Sequence, residues 1–257
     1  MDKQLLERME AQLTGFSEPV ERLRAALEKD EFQLYCQPIL ELRGLGRSPL
    51  AEVLVRLREE ERALMPPGEF LPVFEHFGMM PQLDRWVARH AADALARGGL
   101  QTGCLTVNVA TQTLEDPDFL PFVAGELAVQ KLRGEALGFE IDEADLLDRP
   151  HSARRFAEAC RSIGVRVLVD GFGRRAVSFT PLKDLGVHFV KVDGAITRKL
   201  LTSELAQNKL SAIVEMSDSF GYSVVAECVE SDEILERLRT MGVAHAQGFG
   251  IHEPRPL

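Results

Sequence analysis

Seven short apolar runs in the chain each carry a carboxylate, amide or ammonium group near the same end. Glu52 lies within residues 50–56, Asn108 near the end of residues 104–109, and Glu140 near the end of residues 137–141. Asp170 directly follows Val167-Leu168-Val169, Lys191 and Asp193 flank Val192, Glu227 follows Val224-Val225-Ala226, and Gln247 closes residues 243–247. Polar groups scattered through a core are costly and therefore sparse, so a regular series at equivalent strand positions reads as one site. Glu52, Asn108, Glu140 and Asp170 offer only oxygen donors, the set that hard cations such as Mg²⁺ or Mn²⁺ prefer. Several carboxylates around one pocket cannot all ionise without a cation between them.

The elements that must position these groups follow a rhythm. β-rich runs fall at residues 32–36, 50–56, 104–109, 137–141, 165–169, 187–192, 222–226 and 243–247. Helix-period segments fill most of the gaps, at residues 83–95, 119–132, 153–163, 205–220 and 234–241. The gap from Cys36 to Leu50 holds Gly44, Gly46 and Pro49, too short and turn-rich for a helical crossover, so the first two strands are expected to form a hairpin. Strand–helix alternation over this length indicates an α/β fold, a (β/α)₈ barrel or, failing that, a doubly wound open sheet. In a barrel the strand ends form the one face where active sites are built. Residues 1–23 are expected to be an N-terminal helix or linker, with Leu5, Leu6, Met9 and Leu13 at helical spacing, and residues 24–257 the domain. That helix is expected either to link to a larger protein or to pack on the domain.

Composition narrows the function classes. With 45% hydrophobic residues among 257 and no apolar run near the ~20 residues of a membrane span, the chain is neither disordered nor expected to cross a membrane. A formal net charge of −10 argues against binding DNA or RNA as a polyanion. It leaves room for one small phosphodiester in a cation-lined pocket. Cys36, Cys104, Cys160 and Cys228 form no C-x-x-C pair and read as small buried hydrophobes, and the histidines show no metal-binding spacing. The N-terminal residues lack an apolar leader, so a reduced, cytoplasmic setting is expected.

The same residues resemble the EAL domain family, which hydrolyses or binds cyclic di-GMP. Leu34-Tyr35-Cys36-Gln37-Pro38-Ile39 is similar to L-Y-Y-Q-P-I, and Glu52-Val53-Leu54-Val55-Arg56 to E-A-L-x-R. Pro67-Gly68-Glu69-Phe70-Leu71-Pro72 with Glu75 is similar to P-x-x-F-I-P-x-x-E, and Val107-Asn108-Val109 to V-N-L-S. Phe139-Glu140-Ile141-Asp142-Glu143 resembles L-E-I-T-E, Lys191-Val192-Asp193 resembles K-I-D, Ala226-Glu227-Cys228-Val229-Glu230 resembles A-E-G-V-E, and Gln247-Gly248-Phe249 resembles Q-G-Y. The resemblance implies a modified TIM-type (β/α)₈ barrel with one antiparallel strand. It implies that Glu52, Asn108, Glu140 and Asp170 hold a first Mg²⁺ or Mn²⁺ and that Asp193 belongs to a second. It places Lys191 beside the attacking water, with Glu227 and Gln247 completing the polar floor. Arg56 would meet a phosphate of the dinucleotide, and Gln37, Glu75 and Asp84 would line its groove. Glu143 would anchor the loop after the fifth strand. The implied product is the linear dinucleotide pGpG. Homodimers and fused or partner signalling domains are also implied.

The sequence departs from the family pattern after the fifth strand. Where the family reads D-D-F-G-T-G-Y-S-S-L, Asp170 is followed by Gly171-Phe172-Gly173-Arg174-Arg175-Ala176-Val177-Ser178-Phe179. Gly171 stands at the second aspartate, a second-metal ligand in active members, so one cation site is expected to be intact and the second deficient. Arg174 and Arg175 are open to two readings, solvated loop charges or partners of a ligand phosphate. The leading expectation is a degenerate cyclic di-GMP receptor with lost or weak hydrolysis. The alternatives are a working Mg²⁺- or Mn²⁺-dependent phosphodiesterase that tolerates Gly171, and a pure interaction module.

Overall fold

The computed structural model describes residues 19–44, 50–58, 64–65, 67–98, 100, 102–175, 177–183 and 185–257. The helix expected around Leu5 to Leu13 and the hairpin-tip residues Gly46 and Pro49 lie outside them. The chain opens with α1 (Pro19–Glu28), β1 (Phe32–Glu41), β2 (Leu50–Arg58), β3 (Leu64–Met65), α2 (Pro67–His76), α3 (Met80–Arg97) and β4 (Cys104–Asn108). It continues through α4 (Thr111–Leu114), α5 (Phe119–Val129), β5 (Leu137–Asp142), α6 (Glu143–Asp148), α7 (Pro150–Ser162) and β6 (Arg166–Phe172). The remainder is β7 (Phe189–Val192), α8 (Gly194–Arg198), α9 (Glu204–Phe220), β8 (Ser223–Ala226), α10 (Asp232–Thr240), β9 (His245–Ala246) and β10 (Arg255–Pro256).

Eight strands close into a barrel in the order β1-β2-β4-β5-β6-β7-β8-β9 and back to β1, with β3 and β10 as short additions on β2 and β1. Every barrel pairing from β2 to β9 is parallel, whereas β1 runs antiparallel to both neighbours. The expected hairpin is present, in register from Phe32↔Leu57 to Ile39↔Leu50. Closure through β1 removes the open-sheet alternative. No helix among the described residues is long and apolar enough to cross a membrane.

The period of two along each strand divides the barrel wall between inside and outside. On β5, Phe139 points out to the helices and Glu140 points in. Phe139 meets Phe119 of α5 and Phe156 of α7 at ring-centroid distances of 5.3 and 5.8 Å, so one side chain ties two helices to the sheet. Inside, Ile39, Leu50, Cys104 and Val225, with Phe189 against them, form a separate apolar plug. Two residues further along the parallel strands, Leu50 gives way to Glu52, Phe189 to Lys191 and Val225 to Glu227. The polar layer therefore rests on a dry floor. Gly138 keeps that floor tight, because a Cβ there would stand 2.9 Å from Leu168 Cδ1 and 3.1 Å from Thr106 Cγ2.

Cys36, Cys104 and Cys160 are buried, Cys228 is half-buried, and all four are free thiols. Burial pushes the Cys104 thiol up to about 12, so it behaves as the small hydrophobe the sequence suggested.

Truncating Phe139 to Ala removes a fully buried ring that no neighbour can replace. Urea unfolding of that variant is expected to show a loss of about 3–5 kcal/mol; a loss below about 1 kcal/mol would contradict this account of how the helices are held.

Candidate functional site

The C-terminal ends of the strands bring the polar series together around one side chain. Lys191 is fully buried, and its Nζ lies 2.8 Å from Glu52 Oε2, 2.5 Å from Glu140 Oε2, 3.0 Å from Glu227 Oε1 and 3.6 Å from Asp170 Oδ1. Asn108 Nδ2 donates to Glu52 Oε1 at 2.8 Å, and Gln247 Nε2 donates to Glu52 Oε2 at 2.8 Å and to Gln37 Oε1 at 3.0 Å. Gln37 in turn donates through Nε2 to the His252 carbonyl at 2.8 Å. Glu52, Asn108, Glu140, Asp170, Lys191, Glu227, Gln247 and Gln37, drawn from β1, β2, β4, β5, β6, β7 and the segments after β8 and β9, thus form one connected cluster.

The electrostatics follow from burial and charge count. Burial alone would depress the Lys191 pKa, but the surrounding carboxylates outweigh it and hold the ammonium well above the ordinary lysine value. For Glu52, burial opposes ionisation, yet Lys191, Gln247 and Asn108 together bring its pKa below the usual range. Glu140 goes the other way: burial, then repulsion from Glu52, pushes it up to about 8. Burial and the Asp170 charge push Glu227 up to about 7. One ammonium does not suffice for four carboxylates.

That deficit defines the chemistry. Glu140 Oε1 and Asp170 Oδ1 are buried with no hydrogen-bond partner, and an unsatisfied buried acceptor costs about 1–3 kcal/mol. The oxygen-only donors suit a hard cation. Among the described residues, no three His, Cys, Asp or Glu side chains are already gathered in metal-ligating geometry; the carboxylates wrap the ammonium instead. The residues fit one hard cation entering beside Lys191.

The remaining expected residues lie at the rim. Two adjoining clefts flank the cluster, one lined by Glu75, Met80, Asp84 and Asn108 and the other by Gln37, Glu227, Gln247 and Phe249. Asp84 is buried, and its Oδ2 accepts from Ala110 N at 3.0 Å and Thr113 Oγ1 at 2.6 Å, so that oxygen fixes the turn after β4. Arg56 shares a face of β2 with Glu52 but stands over the Tyr35 ring, 5.8 Å from its centroid, and donates to the Val55 carbonyl. It makes no bond to the central cluster among the described residues.

The loop after β6 shows where the sequence reading ran short. Glu143 is buried, and its carboxylate accepts from Gly173 N and Arg175 N, both at 2.8 Å, so this anchor keeps loop partners even though the family's loop pattern has gone. Neither loop arginine is a free solvated charge. Arg175 pairs with Asp148 at 2.8 Å, while Arg174 Nε donates to Asp193 Oδ2 at 2.8 Å and Nη1 to Asp142 Oδ2 at 3.0 Å. Asp193 and Asp142 also cap α8 and α6 through Ala195 N and Ala144 N. The Arg174 guanidinium was the residue whose place sequence reasoning missed. The paired substitution in the motif, an acid lost and a base gained three residues later, was the signal available.

Comparison with known proteins places this architecture. A family model described as "EAL domain" matches residues 20–254. The chain is 31% identical over 241 residues to "Cyclic di-GMP phosphodiesterase PdeB" of Shewanella oneidensis, covering 92% of this chain and 28% of that protein. It is 30% identical over 247 residues to "Cyclic di-GMP phosphodiesterase PA2567" of Pseudomonas aeruginosa, covering 95% and 42%. The chain therefore spans less than half the length of either relative. Among solved structures, the FimX EAL domain of Xanthomonas citri in complex with c-di-GMP superposes with a TM-score of 0.87 at 28% identity, covering 100% of this chain and 98% of that one. The FimX EAL domain of Pseudomonas aeruginosa bound to c-di-GMP gives 0.86 at 29%, covering 93% and 96%.

Two predictions arise from the site. Replacing Lys191 with Met leaves the buried carboxylates uncompensated, at a cost of about 3–5 kcal/mol. The melting temperature should fall by several degrees and recover in part with millimolar Ca²⁺; an unchanged melting temperature would contradict the role given to the ammonium. Asp84 provides a pH test. Burial raises its pKa to about 6, against the lowering effect of its hydrogen bonds and Arg85. The folded state thus holds a proton that the unfolded carboxyl has already released, so this group's contribution to stability is greatest below about pH 4 and is lost as pH rises through 6. Asp84→Asn should remove that decline and gain about 2–3 kcal/mol relative to wild type at pH 7.5. Denaturation series at pH 5 and 7.5 check it, and an unaltered pH slope would refute it.

Proposed function

The chain belongs to the EAL domain family, and on that premise we propose that it is a cyclic di-GMP receptor domain whose phosphodiesterase turnover is lost or very slow. The observation that carries this reading is Gly171, which has no side-chain carboxylate to offer where active members have an aspartate. Glu52, Asn108, Glu140 and Asp170 would hold one Mg²⁺ or Mn²⁺, and two buried oxygens without a hydrogen bond, Glu140 Oε1 and Asp170 Oδ1, the latter only in a 3.6 Å ion pair with Lys191, support that assignment. When bound, such a cation neutralises phosphodiester charge and lowers the pKa of nearby water.

The chain's own residues divide the remaining work. Lys191, held between Glu140 and Glu227, keeps a fixed positive charge below the ligand and a proton within reach of Glu227 Oε1. Gln247 and Asn108 orient Glu52 by donating to its two oxygens. Gln37 and Glu75 line the clefts that would take the two halves of the dinucleotide, and Arg56 is assigned to a phosphate. Asp84 acts through the 108–113 turn that it fixes. These contacts are available to the ground-state ligand, so binding persists when turnover does not. Several kcal/mol of transition-state stabilisation go with the second charged ligand, at tenfold in rate per ~1.4 kcal/mol.

One observation favours a second reading, a working phosphodiesterase that releases pGpG: the Lys191–Glu227 pair, at 3.0 Å, is intact. Calorimetry with cyclic di-GMP and Ca²⁺, together with chromatography for pGpG after incubation with Mn²⁺, separates the two. We expect clear binding heat and no more than trace pGpG. Turnover of roughly 1 s⁻¹ or faster, the range of ordinary enzymes, would contradict the receptor reading, and so would an absence of heat.

A further inference from the structure

We propose that the Arg174 guanidinium replaces the second divalent cation of this fold, as a fixed positive charge built into the chain at the mouth of the barrel. The inference rests on the cyclic di-GMP reading and deepens it. Asp142 and Asp193 stand one step of strand alternation above Glu140 and Lys191, on the same inward faces of β5 and the β7 end. Arg174 bridges their carboxylates, at 3.0 and 2.8 Å. Its guanidinium also lies over Gly171: a Cβ built on Gly171 would meet Arg174 Cζ at 2.8 Å and Nη2 more closely still. With its guanidinium tied to Asp142 and Asp193, the arginine lies where an aspartate side chain at position 171 would extend, and one of the two would have to shift.

The backbone at this point is shaped for it. The β6–β7 register breaks between Val169 and Phe172, and Gly171 sits there at φ +66°. A glycine adopts that conformation without the cost a side chain brings. The charge count also closes. Relative to the family motif the loop gains three units of charge, at Gly171, Arg174 and Arg175; Arg175 spends its charge on Asp148, which leaves +2 beside Asp142 and Asp193, the charge of one divalent ion. Asp193, the carboxylate assigned to the second cation, already has its Oδ2 committed to Arg174 and its Oδ1 to Ala195 N.

The substitution keeps one property of a metal and discards another. A guanidinium attracts a phosphodiester anion and is permanently charged, and Arg174 uses only two of its five N–H donors on the two aspartates. It has no open coordination position, so it cannot activate a water as a metal does. Binding is retained and hydrolysis is not.

Manganese titration followed by electron paramagnetic resonance, on the whole chain, tests this without reference to turnover. Wild type and Gly171→Asp are expected to bind one Mn²⁺ tightly with an uncoupled signal, because Arg174 holds the second place in both. Gly171→Asp combined with Arg174→Thr is expected to bind two Mn²⁺ with the spectrum of a coupled pair. Arg174→Gln is expected to weaken cyclic di-GMP binding about tenfold or more at fixed Ca²⁺ and to flatten its salt dependence. A coupled pair in wild type, or unchanged cyclic di-GMP affinity in Arg174→Gln, would overturn the inference. Should the double variant fail to fold, the wild-type count and the Arg174→Gln affinity still decide it. If wild type binds no cyclic di-GMP, the receptor reading fails, and the metal replacement stands if Gly171→Asp still binds one Mn²⁺ while the double variant binds two, and falls if both bind the same number.

Discussion

A single buried ammonium governs the inner half of this barrel. Among the described residues, Lys191 is the one cation reaching Glu52, Glu140 and Asp170, on three strands, and Glu227, just after β8, and it is 0% exposed. Repulsion among those carboxylates would otherwise push the strand ends apart or force them to take up protons. The buried apolar plug of Ile39, Leu50, Cys104 and Val225 beneath them raises the stakes, because apolar surroundings screen the charges poorly. The cluster remains short of positive charge, which makes it receptive to a hard cation and to whatever anion that cation attracts.

A second ionic layer lies above the first. Asp142, Asp193 and Arg174 repeat the pattern of carboxylates around one nitrogen cation, nearer to solvent. The two layers differ in kind: the inner one leaves buried oxygens open, whereas the outer aspartates have every oxygen committed, to Arg174 or to a helix N-cap. The inner layer is short of positive charge, whereas in the outer layer Arg174 already lies between the two carboxylates. On the proposed reading, that asymmetry is what would separate recognition of a phosphodiester from its cleavage.

Much of the barrel was legible in the sequence, for a definite reason. Inward and outward residues alternate, so Phe139 beside Glu140, or Leu50 two residues before Glu52, declares both the strand and the face. The short glycine- and proline-containing gap before Leu50 marked the antiparallel strand, because no helix could be accommodated there. The fate of loop and rim side chains was not legible. The family resemblance gave Glu143 a place at this loop, but not its partners, the backbone N–H groups of Gly173 and Arg175, which carry no side-chain signal. Asp84 was expected to line the dinucleotide groove, and its bonds to Ala110 N and Thr113 Oγ1, across a turn, were not legible. Arg174 stayed open between solvated loop charge and phosphate partner because its three contacts come from β5, β6 and the β7 end, which only closure of the barrel brings together.

Anomalous diffraction at the manganese edge, from crystals soaked in Mn²⁺ with cyclic di-GMP, examines the central claim most directly. The account predicts one strong peak among Glu52, Asn108, Glu140 and Asp170, an uncut dinucleotide, and Arg174 still bridging Asp142 and Asp193. Two well-occupied peaks about 3.5–4 Å apart, the spacing of two-metal phosphodiester chemistry, with Arg174 displaced, would contradict it.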